Sequence, residues 1–413
     1  MAPELWNVIS PDLYVTFWAL QLGDIYVPDK SYRQEKDKLK TQEITMSRDR
    51  TDMSRQAQER RMDARKDLMQ RQIELSEEMS EHQLRISKWK FYLMKQFQAA
   101  FPEPKAKPEA VADVLLEQCF IPRVQLSAVD AEFTFKYIKA LHDWNAPGFK
   151  LMTLYNRLFN ANRLRTLIFT STVREAENLG RFLKLILADL ARWHKNDAFA
   201  SERDNKVAKG QPRLGAYDKE GKGTAEQPRF GFALTLDDNG KPATFVEHAQ
   251  FRDLLFGWHK NLNSALKACL AGTEWMHIRN AITVLKCVLD VFPAIDFMAK
   301  QFSSQLETIA KQEAASKSGP VNGETQRVDL SVAAQGAMSE LQRRKGNWVL
   351  VQAFRTNTVS CRHDHHEAFL TSTHRSLILR QSRKRRACEL QHPNSNLART
   401  SKCRLNEIKD IEH

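Results

Sequence analysis

The chain has 413 residues, room for roughly two or three units of ordinary domain size, and its 42% hydrophobic fraction can furnish a substantial core. Yet 27% of residues are charged, mean hydropathy is −0.53, and no stretch approaches the roughly 18–20 uninterrupted apolar residues of a membrane span. With no basic-then-apolar leader over Met1–Gly23 either, the chain is expected to be soluble and intracellular, with no membrane partner. The net charge of +13 points to polyanionic partners, nucleic acid or an acidic protein surface, while six widely spaced cysteines without a CxxC pair argue against a disulfide framework and a zinc module.

The first element is a capped helix. Ser10 can accept from orphan backbone donors, Pro11 suits the first helical position, and Leu13-Tyr14-Val15-Thr16-Phe17-Trp18 follows, so residues 1–29 read as a helix and its lead-in. From Lys30 to Gln98 there is no proline or glycine, and Asp67 to Arg71 and Glu81 to Arg85 stand at i, i+4 spacing. This predicts one long charged helix or coiled-coil arm over residues 30–100. Tyr32, Leu39, Met46 and Met53 recur every seven residues, and Leu75, Met79, Ile86, Trp89 and Leu93 fit a and d positions with His82 in the seam. Leu75, Met79, Ile86 and Leu93 are therefore the candidate partner interface; the other reading of the arm is a solvated charged helix or a partly disordered arm.

Pro102, Pro104 and Pro108 close the arm, and residues 109–313 read as a helical-repeat scaffold interrupted by a loop over 201–245. Four or five helices are expected before residue 200, punctuated by Pro122 and Pro147-Gly148. Three later segments carry apolar stripes at the helical period: Leu179, Phe182, Leu183, Ile186, Leu190 and Trp193; Phe251, Leu254, Leu255, Trp258, Leu262 and Leu266; Ile278, Ala281, Ile282, Leu285, Leu289 and Phe292. Helices with one apolar face bury it against neighbours, so the fold class is all-α, stacked helical hairpins in the manner of an α-solenoid. Inside the loop, Phe230, Phe232, Leu234 and Leu236 alternate before Asn239-Gly240, the pattern of a small hairpin or of an irregular loop. Trp193 and Trp258, each beside a histidine, read as core residues, and Arg279 is expected to tie helices together. Cys269 and Cys287, within helical runs, read as buried thiols.

Residues 314–358 follow as a linker and last helix. Beyond them, 359–413 read as a basic, disordered tail. Cys361, His363, His365 and His366 are packed too tightly for tetrahedral zinc, and Arg383-Lys384-Arg385-Arg386 forms a compact basic run, a candidate nucleic-acid contact or import signal. There is no Gly-rich phosphate loop, GxSxG or HExxH, so no catalytic, metal or cofactor residue is assigned and the chain does not read as an enzyme.

Several motifs occur in a recognisable order: Leu13 to Trp18, Val27-Pro28 with Tyr32, Ile121-Pro122-Arg123, Ser127 to Ala131, Gly180-Arg181-Phe182-Leu183, Arg192-Trp193-His194, Phe251-Arg252 with Trp258-His259, and His277-Ile278-Arg279-Asn280. Spread over about residues 8–350, they resemble the C-terminal helical region of the THO complex subunit 2 family. The resemblance implies a non-catalytic nuclear scaffold that couples transcription to mRNA processing and export, with other THO subunits as partners. It also implies a piece of a longer protein, since family members are several times longer. The tail after about Val359 shows no match, so the family's nucleic-acid contacts do not transfer to Arg383 and its neighbours. A coiled-coil adaptor without a nucleic-acid role is the alternative.

Overall fold

The fold is that of a computed structural model, which describes residues 3–101, 107–204, 228–237, 240–315 and 328–355. These belong to one compact unit, Met1–Arg355, and the basic tail lies outside them. Helix α1 (Pro11–Ala19) starts as expected, with Ser10 accepting from the Leu13 amide at 3.1 Å and Pro11 in the first turn. A single turn, α2 (Leu22–Ile25), follows.

The long helix expected over residues 30–98 is instead two. Helix α3 (Asp29–Arg48) and helix α4 (Arg55–Phe97) run antiparallel, with Gln83 bonded to Asp29, Tyr32 to Glu78, and Arg65 to Glu43. The break needs neither proline nor glycine. The Asp49 carboxylate accepts from the Thr51 amide at 2.9 Å, Asp52 accepts from the Ser54 amide at 2.8 Å, and Ser54 caps α4. Such side-chain bonds to the backbone compete with the helix and reverse the chain.

The next helices form the stack. They are α5 (Pro108–Leu115), α6 (Ile121–Leu126), α7 (Ala128–Asp143), α8 (Leu151–Leu158), α9 (Ala161–Thr170), α10 (Val173–Trp193) and α11 (Asn196–Arg203). Pro122 does not punctuate here: α5 and α6 join through one π-helical turn, Leu116–Phe120, which absorbs a proline that has no amide to donate. After the short hairpin β1 (Ala233–Leu236) and β2 (Pro242–Phe245) come α12 (His248–Leu270), α13 (Trp275–Val288), α14 (Asp296–Ala315), α15 (Val328–Arg343) and α16 (Val351–Arg355). Helix α10 packs on α7 and α13, α9 on α12, and α13 on α15, which also pairs with α14.

The three predicted stripes are the cores of α10, α12 and α13, with every named residue buried except Leu254, which is half-buried. Trp193 and Trp258 are buried, as expected of core residues. The hairpin is present but out of phase with the alternation. A 3₁₀ turn at Phe230–Phe232 buries both phenylalanines, so Ala233 faces the core and Leu234 is exposed.

Buried polar side chains tie the stack together by capping helix ends across the fold. Arg123 donates to the carbonyls of Phe17 and Leu20 and pairs with Asp130 at 3.0 Å, closing the C-terminus of α1. Asn178 donates to Gln125 O at the end of α6, and Asn280 to Ile168 O and Ser171 O at the end of α9. Each bond satisfies carbonyls that a helix end leaves orphaned. The tying role expected of Arg279 thus falls to its neighbour Asn280; Arg279 itself is only half-buried. Cys269 is a buried thiol, whereas Cys287 is half-buried.

Candidate functional site

Helix α4 carries the candidate interface, and its faces differ. Along one face the seam is used within the chain: Leu68, His82, Leu93 and Phe97 are buried, and Leu75, Met79 and Ile86 are half-buried. His82 Nε2 donates to Gly23 O at 2.7 Å, and its Nδ1 lies 3.2 Å from Tyr32 Oη. Leu93 and Phe97 belong to the same hydrophobic core as Phe17 and Phe120, so Leu93 is not available to a partner. At this end the seam is filled by the chain's own helices. Met46 and Met53, which continue the α3 pattern, are exposed.

The other face of α4 exposes Met62, Met69, Ile73, Leu84 and Phe91, the last at 77%. Part of this face borders a groove of about 670 Å³ beside α3, lined by Met69, Ile73, Ser76 and Ser80 with Lys36 and Glu43 on its flanks. A groove between two antiparallel helices, with an apolar floor and charged rims, has the geometry that receives a third helix. No signal in the spacing separated this face from the seam, because both recur at helical intervals.

A second constellation lies inside the stack. Lys139 of α7 stands 2.9 Å from Glu202, 3.1 Å from Asp189 and 3.4 Å from Asp143. Arg229 reaches Glu202 at 2.5 Å and Asp143 at 3.0 Å. Burial would raise the Glu202 carboxyl, but Lys139, Arg229 and Arg192 hold it below its ordinary value; for Asp143 burial wins and the shift is upward. The wholly buried His142 is held well below the imidazole range by burial and then by Lys139 and Arg229, so it is neutral. His142, Asp143 and Glu202 bring ligand atoms within 4.8 Å of one another, yet two cations already neutralise these carboxylates and would repel a metal ion. The cluster acts as a clamp joining α7, α10 and α11 to the segment that leads into the hairpin. Sequence reading missed it because its members are scattered from residue 139 to residue 229.

Among the described residues no serine or cysteine side chain hydrogen-bonds a histidine, and no helix is long and apolar enough to cross a membrane. Arg383, Lys384, Arg385 and Arg386, with Cys361, His363, His365 and His366, lie outside the described residues.

Helix ends capped by side chains of other helices, a continuous core and one helical hairpin with an uncovered apolar face define an all-α helical-stack protein. The family described as Tho2, transcription factor/nuclear export subunit protein 2, matches residues 6–341, and the chain belongs to it. Among curated relatives, the human protein named THO complex subunit 2 is 27% identical over 353 residues, covering 83% of this chain and 19% of its own length. The Arabidopsis thaliana protein of the same name is 26% identical over 355 residues, and that of Saccharomyces cerevisiae 25% over 289, covering 85% and 70% of this chain and 17% and 14% of their own lengths. The chain thus spans about a fifth or less of these relatives.

Proposed function

We propose that this chain is a non-catalytic scaffold portion of a THO complex subunit, acting in the nucleus to couple transcription to mRNA processing and export, and touching RNA directly through its positive surface. The observation that carries the assembly half is the exposed apolar face of α4. Four or more apolar side chains uncovered along one helix are what a partner helix covers. The relatives' printed name supports the identity of the assembly, and the +13 charge supports the RNA half. Bonds of Tyr32 to Glu78, Glu43 to Arg65 and Asp29 to Gln83 join α3 to α4 behind this face, and Leu75, Met79 and Ile86 are half-buried.

Co-purification of the tagged chain from nuclei, with mass spectrometry of its partners, tests the reading. We expect the other THO subunits in the wild-type eluate and their loss when Met69, Ile73, Leu84 and Phe91 are changed together to glutamine. Retention of all partners by that variant would move assembly onto the stack. An eluate without THO subunits would remove the reading itself. An adaptor without a nucleic-acid role is separated by RNA binding, which it would lack.

A further inference from the structure

At the base of the arm the last turns of α4 cross α1 and leave an open groove of about 630 Å³, lined by Val15, Asp24, Arg85, Lys88, Trp89 and Tyr92. Its charge is one-sided. Between His82 and Phe101 the chain has Arg85, Lys88, Lys90 and Lys95 and no carboxylate. Lys90 turns toward the ring of Trp144 at 5.9 Å, whereas Arg85, Lys88 and Lys95 form no ion pair among the described residues. Asp24, the one anion in the groove, already accepts from the Gln21 amide at 2.9 Å.

Aromatic rings alternate with these cations. Trp89 and Tyr92 meet edge to face at 5.7 Å, and Tyr92 is 50% exposed. An edge-to-face pair leaves ring faces open to a flat partner. From Arg85 to Lys95 the helix rises about 15 Å, the reach of a few nucleotides.

We infer that this groove is the site at which the chain binds single-stranded RNA, an inference that rests on the RNA half of the proposed function. Unpaired cations spaced along a helix meet backbone phosphates, and the intervening rings stack on bases without reading sequence. Duplex bases are stacked on one another and cannot use the rings. An acidic peptide would use the cations and leave the aromatic faces idle.

The test is fluorescence anisotropy of a labelled twelve-residue oligouridine with the full chain, at about 50 to 200 mM salt. Changing Arg85→Gln with Lys88→Gln should weaken binding about tenfold and lower the slope of log affinity against log salt by about 1.4, since each lost phosphate contact removes about 0.7. Tyr92→Ala should weaken it about fivefold or more, and Tyr92→Phe should restore it. Tyr92 is exposed enough that thermal melting should stay unchanged, which separates a lost site from a lost fold. A variant with Arg383, Lys384, Arg385 and Arg386 all changed to serine serves as the control for the basic run. If wild type binds, this control weakens it and the α4 variants do not, the inference fails while the RNA reading stands. If wild type does not bind even at low salt, the RNA reading fails with it. If oligoglutamate displaces the RNA and Tyr92→Ala costs nothing, the groove serves an acidic protein segment, which also overturns the inference.

Discussion

The stack and the arm are both built from amphipathic helices, but they use their apolar residues differently. In α10 and α13 the named stripe is fully consumed, and Gly180 lets the two helices approach so closely that an added Cβ would lie 2.7 Å from Cys287 Cβ and 3.2 Å from the Val284 backbone. In α3 no residue is buried, and α4 buries one seam while exposing a second apolar row. Complete burial stabilises a fold; partial burial leaves something for a partner. The same helical period therefore has two meanings, and only the neighbours decide between them.

Substitutions should break this contrast in order of size. Leu285, wholly buried in α13, should cost about 2–5 kcal/mol of unfolding free energy when changed to alanine, read by urea denaturation. A loss below about 0.5 kcal/mol would place that stripe on a surface. Gly180→Ala should cost about 1–3 kcal/mol by overpacking. Cys287→Ala should not rescue it, because the Cβ that clashes remains; Cys287→Gly should rescue part of it.

Histidine titration sharpens the contrast at a smaller scale. Burial, and then His194, pushes His259 of α12 down to about 3, where its ring lies against Phe292 and Phe354. Its folded value lies below its unfolded one, so the unfolded chain binds the extra proton and stability falls as pH drops from about 6.5 toward 3. His259→Leu should flatten the dependence of unfolding free energy on pH by up to about 1.4 kcal/mol per unit in that window. An unchanged slope would mean that His259 is not buried neutral. At the smallest end, Met69→Gln with Ile73→Gln should change stability by about 0.5 kcal/mol or less, since both side chains are about half exposed.

Much of the stack was legible because burial on one face writes a 3.6-residue period, as in Leu179 to Trp193. What was not legible depended on contacts between distant residues. The reversal at Asp49 to Ser54 is made by Asp and Ser side chains bonding the backbone, a weaker sequence mark than proline or glycine. The capping role of Arg123 depends on carbonyls more than 100 positions away, and the Lys139 clamp on Arg229 beyond a long insertion. At the candidate site, Leu93 is buried while Leu75, Met79 and Ile86 are half-buried. Leu93 meets the chain's own core, and the exposed row containing Met69 and Phe91 recurs at the same helical intervals as the seam, so spacing does not single it out.

Hydrogen exchange measured by mass spectrometry on the chain alone and within its purified complex bears most directly on the division of labour between stack and arm. Peptides covering residues 62–94 should gain protection on assembly, while α10 and α13, already closed against each other, should change little. Protection gained only in the stack, with the arm exchanging as fast in the complex as alone, would contradict the account.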